Sequence, residues 1–486
     1  MFESSTIAAL VSVLRAEIAR LAPGDRLPSN RDLVRSHSVS PVTVARAVAA
    51  LAAEGIVVTR PGSGTFVAGR RARPPHAAID TSWQTVTLGD RSVDARTVTD
   101  LLSPPPTSTI PLAGGYLNRS LQPTKALSGA LSRAARRPDA WDRAPTAGLE
   151  TLRSQFARLT GADVDVDDVL ITSGGQDALS MAFRSIAAPG SPILVESPTY
   201  QGALAAARAA GLRPVPVPID ADGIRPDLLA DAFATTGARL LYCQPTFHNP
   251  TGAVLSSERR RQVLDITRAV GAFLLEDDFA RLLGHGEAPP RPLLADDDDG
   301  TVVYLTSLTK PASPSLRIGA LIARGPVAHR LRATRLVDDF FLARPLQEAA
   351  VELLSTPSWD RHLRGLATAL RERCAALATA LATEIPEWTL AGVPRGGLHL
   401  WVRVPGPLRS ATTIADAALA EGVAVSAGTG YFAAEPPGAY LRLGFAATTD
   451  LAQLSEGVHR LSKAARHLES RDGTAPSATP RRGWTD

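Results

Sequence analysis

Lysine is nearly absent from this chain. Of its 52 basic side chains, those at 125, 310 and 463 are lysine and the rest are arginine. Arginine carries charge and grips phosphate, but it does not release a proton to form a Schiff base, whereas a lysine amine does. A surviving lysine therefore asks for a chemical reason. Cysteine is scarce too: Cys243 and Cys374 are the pair, too few for a disulfide framework and suited to a reducing cytosol. No apolar run reaches the ~18 residues that span a bilayer, and the N-terminus lacks the apolar core of a secretory signal. The expectation is a cytoplasmic chain with no membrane partner. Internal repeats are missing as well. The acidic run at 296–299 is expected to be a solvated loop, with no metal site assigned to it. The abundance of Arg, Ala and Pro beside so little Lys suggests a GC-rich bacterial genome.

At 486 residues the chain exceeds one ordinary domain, and its 44% hydrophobic composition is ample for a large core. Periodicity divides it. Residues 1–69 read as one module. Residues 70–110 lose periodicity and carry Pro104-Pro105-Pro106, as a linker semi-rigid at its prolines would. From 111 to 468, strand-like runs alternate with helical ones, the pattern of an α/β domain with a mostly parallel sheet. The helical stretch after Pro345 and the strand-like runs 398–404 and 423–426 suggest a smaller α+β subdomain at its C-terminal end. Residues 469–486, rich in Ser, Pro and Arg, read as a disordered tail.

In the first module, residues 7–21 place apolar side chains at helical spacing. Ser29 with Asp32 three later is a variant of the capping box. Ser40-Pro41 sets a cap before a proline at the first helical position, and Gly55 stops that helix. Residues 56–60 and 65–68 flank Pro61-Gly62-Ser63-Gly64, which reads as a hairpin. Helix, helix, turn, helix, hairpin is a winged helix-turn-helix. Residues 1–73 hold ten arginines against five acids, a net of +5, which leaves −1 for the rest of a chain whose total is +4. The positive excess lies where phosphate contacts would be made. A winged helix used only for protein contacts is the alternative.

Lys310 ends Ser307-Leu308-Thr309-Lys310, just after the apolar run 302–305, and Arg317 comes seven residues later. Hydroxyls and an arginine suit a phosphate; an amine suits an aldehyde. Other segments carry matching chemistry. The run 169–172 leads into Ser173-Gly174-Gly175-Gln176 and a helical run from Asp177, and a glycine turn opening a helix offers free N–H groups to an anion. Tyr200, after the run 193–195, suits stacking on a ring or packing in the core. Asn249-Pro250-Thr251-Gly252 follows 240–243 and brings an amide able to donate to a phenolate oxygen. The run 272–275 ends in Glu276-Asp277-Asp278, carboxylates where open α/β sheets bind ligands. Taken singly, these are also a surface lysine, a strand-to-helix turn, a plain turn and a solvated acidic loop. Their order and spacing are the specific signal.

The set resembles the fold-type I aminotransferases. That resemblance implies pyridoxal 5′-phosphate (PLP) as cofactor, with Lys310 as the Schiff-base lysine and Asp277 at the pyridine nitrogen, preserving the ring as an electron sink. It places Asn249 at the ring oxygen, Tyr200 at the ring face, and Gly175, Gln176, Ser307, Thr309 and Arg317 around the phosphate. Arg442, in Tyr440-Leu441-Arg442-Leu443-Gly444-Phe445, resembles the family's carboxylate-binding arginine, whose planar fork holds a carboxylate bidentately. Two positions depart from the family: Gly175, where relatives often carry Ser, and Phe279-Ala280, where a Tyr often supports the Asn. These bear on turnover more than on cofactor binding. The first module resembles the GntR-type regulator domain. This implies contacts to double-stranded promoter DNA from Arg31, Ser40, Thr43, Arg46 and the wing tip at Gly64 and Thr65, with Pro41 standing where many relatives carry Arg. Both parts on one chain resemble the MocR family of bacterial regulators. The expectation is a homodimeric transcription factor whose cofactor domain senses an amino compound or PLP itself; the rival is a working aminotransferase.

Overall fold

The computed structural model describes residues 2–19, 21–68, 80–88, 99, 102–103, 106, 108–406 and 410–472. Two compact units divide the chain, Met1–Arg91 and Ser92–Asp486.

The first unit strings together α1 (Phe2–Ile18), α2 (Asn30–His37), α3 (Pro41–Ala53) and the hairpin β1 (Val57–Arg60) and β2 (Gly64–Val67). The caps form where the sequence places them. Ser29 Oγ accepts from the Asp32 amide at 3.3 Å and Ser40 Oγ from the Thr43 amide at 3.1 Å, each satisfying an N–H that lacks a partner inside its helix. Leu10, Leu14 and Ile18 of α1 and Val44, Ala47, Val48 and Leu51 of α3 repeat at helical period and bury against Leu33, Val57 and Val67. The first helix begins before residue 7 and stops at Ile18, short of the expected Leu21.

The stretch expected to be an aperiodic linker contains a short helix, α4 (Ser82–Leu88), none of whose residues is buried. A helix with no buried face leaves no amphipathic signal to read. Pro104 and Pro105 lie outside the described residues.

In the second unit the strands β4 (Val169–Thr172), β5 (Pro192–Ser197), β6 (Arg213–Asp220), β7 (Gly223–Ile224), β8 (Leu240–Cys243), β9 (Phe273–Asp277), β10 (Val302–Ser307) and β11 (Gly319–Ile322) form one sheet; β3 (Ile110–Pro111) precedes them. Its order is β4-β11-β10-β9-β8-β5-β6-β7. The pairs from β10 through β6 are parallel, and β11 runs antiparallel to both neighbours. Side chains alternate between two cores: Leu241, Cys243 and Leu274 on one face, Leu240, Tyr242 and Leu275 on the other.

A smaller antiparallel sheet follows, from β12 (Thr389–Leu390), β13 (His399–Val404), β15 (Ser426–Ala427) and β16 (Ala439–Gly444), while β14 (Val423–Ala424) pairs with β3. The long helix Pro357–Glu384 and the last helix, Leu451–Asp472, share its core. That last helix runs four residues into the tail expected to be disordered; residues 473–486 lie outside the described residues.

The acidic run at 296–299 faces solvent at Asp296, Asp298 and Asp299, as expected, but not at Asp297. Asp297 is buried, and its carboxylate accepts from the amides of Thr301 at 3.1 Å and Val302 at 2.9 Å. Amides entering β10 need a partner, and this side chain supplies it.

Candidate functional site

Because β8, β9 and β10 run parallel, the segments after their carboxyl ends converge. Strand alternation sorts the acidic residues. Asp277 shares the face of Leu275 and Tyr242; Glu276 shares the face of Leu274. Asp277 Oδ2 accepts from the Tyr242 phenol at 2.7 Å and from Gln244 Nε2 at 2.9 Å, while its Oδ1 is buried without a partner among the described residues. Burial pushes the Asp277 carboxyl up to about 6, against the pull of those two donors. Glu276 instead accepts from the amides of Leu293 and Leu294, at 2.8 and 3.0 Å. Asp278 is taken up by Arg281 and by the Tyr304 phenol, the latter at 2.9 Å.

The Lys310 amine donates to the Gly115 carbonyl at 2.9 Å and lies 3.8 Å from the centre of the Tyr116 ring. Burial, then the nearby Arg442 guanidinium, bring it down to about 7, with Asp277 pulling the other way. Near neutral pH a sizeable fraction of this amine is the unprotonated nucleophile. Arg442 is buried; its Nη2 donates to the Ala113 carbonyl at 2.7 Å and its Nη1 to Asn249 Oδ1 at 3.2 Å. With that oxygen engaged, the Asn249 amide presents its NH2 as a donor. The Asn249 segment is pinned from beneath: Gln244 Oε1 accepts from the Asn249 amide at 3.2 Å, and the Gln244 amide donates to Glu196 at 2.7 Å.

The phosphate-side residues meet through sheet register. Thr172 lies opposite Gly319, and Gly319 opposite Ser307, so the loops after β4 and β10 share one edge. Gly174 has φ +82°, and a Cβ there would come 2.8 Å from Arg317 Nη2, so only glycine lets that guanidinium lie across the turn. Arg317 Nη2 donates to the Ser173 carbonyl at 2.6 Å. Ser307 Oγ donates to Thr309 Oγ1 at 2.8 Å. Gly175 opens the helix Gly175–Ile186, followed by exposed Gln176, which accepts from the Tyr200 phenol at 3.2 Å. An unpartnered buried carboxylate oxygen, a helix N-terminus beside an arginine and a low-pKa lysine together fit the pyridine nitrogen, phosphate and aldehyde of PLP.

On the first unit, Arg31, Arg46 and Ser40 are exposed and Thr43 is half-buried. Ser40 and Thr43 share a hydroxyl contact of 2.8 Å at the start of α3. Thr65 does not face outward as expected: it is 9% exposed, and its hydroxyl meets that of Thr59 at 3.3 Å across the hairpin. Alternation along β2 turns it inward with Val67. Gly64 has φ +113° and lies against Arg26, which a Cβ would approach to 2.8 Å. The exposed tip is Pro61, Gly62 and Ser63.

Residues 6–67 match the bacterial regulatory proteins of the gntR family, and residues 114–461 match the class I and II aminotransferases. The chain belongs to the class I and II aminotransferase family and, through its gntR module, to the MocR regulators. It is 28% identical to YdfD, an uncharacterized HTH-type transcriptional regulator of Bacillus subtilis strain 168, over 92% of this chain and 93% of that one. It is 32% identical to a second such regulator, YisV, from the same strain, over 78% of this chain and 80% of that one. The crystal structure of LysN, an α-aminoadipate aminotransferase of Thermus thermophilus, matches with TM-score 0.74 at 31% identity, covering 80% of this chain and 99% of that one.

Four residues of this MocR site escaped sequence reasoning: Tyr116, Tyr242, Gln244 and His399. Tyr242 sits opposite Leu275, two residues before Asp277, so alternation across β8 and β9 was a usable signal. Gln244 follows directly from it. Tyr116 and His399 reach the site from distant segments and carry no local signal.

Proposed function

We propose that this MocR chain is a PLP-dependent transcription regulator that binds promoter DNA through its first unit and senses an amino compound in its second. One observation carries the reading: a gntR module shares the chain with Lys310, Asp277, Asn249 and Arg317, all gathered near the carboxyl ends of the parallel strands of one sheet. The related LysN structure holds N-(5′-phosphopyridoxyl)-L-leucine. PLP supplies an aldehyde and an electron-accepting ring when bound. Asp277 Oδ1 would face the pyridine nitrogen, the Asn249 NH2 the ring oxygen and Tyr200 the ring face. Gly175, Gln176, Ser307, Thr309 and Arg317 would hold the phosphate. Lys310 gives up its proton near neutral pH, and Arg442 takes the effector's carboxylate.

Arg31, Ser40, Thr43, Arg46 and the wing tip would meet DNA. An effector shifts DNA binding only to the extent that its affinity differs between conformations of the protein. A second copy of the chain completes the proposal. Leu336, Val337 and Phe340, at 44%, 86% and 67% exposed, are large apolar side chains left open within one short segment, on either side of Asp338 and Asp339, and such exposure supports a homodimer. Among the described residues, no helix is long and apolar enough to cross a membrane, and Cys243 and Cys374 are buried free thiols, which suits a cytoplasmic protein. The deciding experiment is a footprint on the gene's own upstream region, with and without PLP and a panel of amines. Protection that PLP or an amine alters is expected; no protection under any condition sinks the reading.

The alternative is an active aminotransferase. Lys310, Asp277 and Arg442 standing together favours it, and sustained exchange between an amino acid and a keto acid would establish it.

A further inference from the structure

His399 opens β13 and is 6% exposed, yet its Nε2 has no hydrogen-bond partner among the described residues. A buried polar atom left unpaired costs stability that nothing in the fold returns. Its surroundings suggest what it is for. The point that a Cβ on Gly115 would occupy lies 3.6 Å from His399 Nε2, 3.8 Å from Arg442 Nη2 and 3.8 Å from Lys310 Nζ. Imidazole, guanidinium and amine thus border one atom-sized position. Sheet register produces this meeting: β13 and β16 are antiparallel, with His399 opposite Gly444 and Trp401 opposite Arg442, so His399 stands diagonal to Arg442 with no side chain opposite it. Burial, then the Arg442 and Lys310 cations, hold the imidazole neutral.

Building on the reading of this site as an amino-compound sensor, we propose that His399 is a specificity residue that donates its Nε2–H to the carboxylate held by Arg442, selecting carboxylated amines over their decarboxylated counterparts. The chemistry is directional. Beside the Arg442 cation and the Lys310 amine, the ligand atom drawn into this space is anionic, and a neutral N–H adds a hydrogen bond without adding a further charge. A ligand without a carboxylate offers Nε2–H no acceptor there.

The test uses two stable conjugates, N-(5′-phosphopyridoxyl)-L-alanine and N-(5′-phosphopyridoxyl)ethylamine, which differ only by the carboxylate. Each is titrated calorimetrically into full-length protein freed of PLP. The wild type is expected to prefer the alanine conjugate. His399→Phe should shrink that preference about tenfold, with the loss falling on the alanine conjugate more than on the ethylamine conjugate; His399→Gln, which keeps an N–H donor, should retain part of it. An undiminished preference in His399→Phe, or an equal loss for both conjugates, overturns the proposal. Failure of both conjugates to bind the wild type instead brings down the PLP reading on which it rests.

Discussion

The Tyr242 phenol donates to Asp277 Oδ2 across 2.7 Å, inside the sheet and away from water. One strand thereby controls the charge on the next. Asp277 is raised to about 6 by burial, and the Tyr242 hydrogen bond is the first force holding it down. The ionised form is the one that can face a protonated ring nitrogen. Cofactor affinity is therefore expected to fall as pH drops through about 6. Tyr242→Phe removes a donor that favours the charged form, so the midpoint should rise by roughly one pH unit. Absorbance titration of PLP between pH 5 and 8 reads both curves, and an unmoved or lower midpoint contradicts the assignment of Asp277.

Lys310 should carry the cofactor. Borohydride reduction of the loaded protein is expected to leave the phosphopyridoxyl group on Lys310, found by peptide mass mapping. The competing lysines are exposed, and Lys463 is paired with Glu421 at 2.8 Å. The rate of PLP uptake should climb with pH through about 7 and then level, because the unprotonated amine is the reactive form. A label on Lys125 or Lys463 would falsify the site.

Arg442→Ala should weaken the response to a carboxylated amine. Losing a charge-assisted pair costs about 1.5–3 kcal/mol, roughly ten- to a hundredfold in affinity. Because Arg442 Nη1 also holds Asn249 Oδ1, some loosening of that amide accompanies the change, but cofactor binding should persist. Fluorescence anisotropy on operator DNA separates the cases. If PLP itself is the effector, Arg442→Ala responds normally and Lys310→Ala fails; if both respond as wild type, the second unit is not the sensor.

On the first unit, Arg31→Ala and Arg46→Ala should each weaken operator binding by about 1–3 kcal/mol. Thr65→Val should behave differently. Its hydroxyl is spent on Thr59, so DNA affinity should hold while the unit loses about 0.5–1.5 kcal/mol of stability in urea melts. DNA binding impaired as severely as in Arg46→Ala would return Thr65 to the interface.

What the sequence determined by itself was local. Ser29 and Ser40 cap helices through amides three residues away, and the apolar runs 169–172, 240–243 and 272–275 became strands, the last of them reaching on to Asp277. Order and spacing then marked Lys310, Asp277, Asn249 and Arg317, because each follows a strand or turn whose pattern is complete within about ten residues. The tertiary structure decided what meets across the chain. Lys310 and Gly115 are separated by 195 positions and Arg442 and Asn249 by 193, and no periodicity encodes such pairings. Burial was decided there too: Asp297 and Thr65 read as exposed polar residues until strand entry and hairpin alternation turned them inward. His399 shows the limit most clearly, since its neighbours Arg442 and Lys310 come from other segments and only sheet register and packing set them around one point.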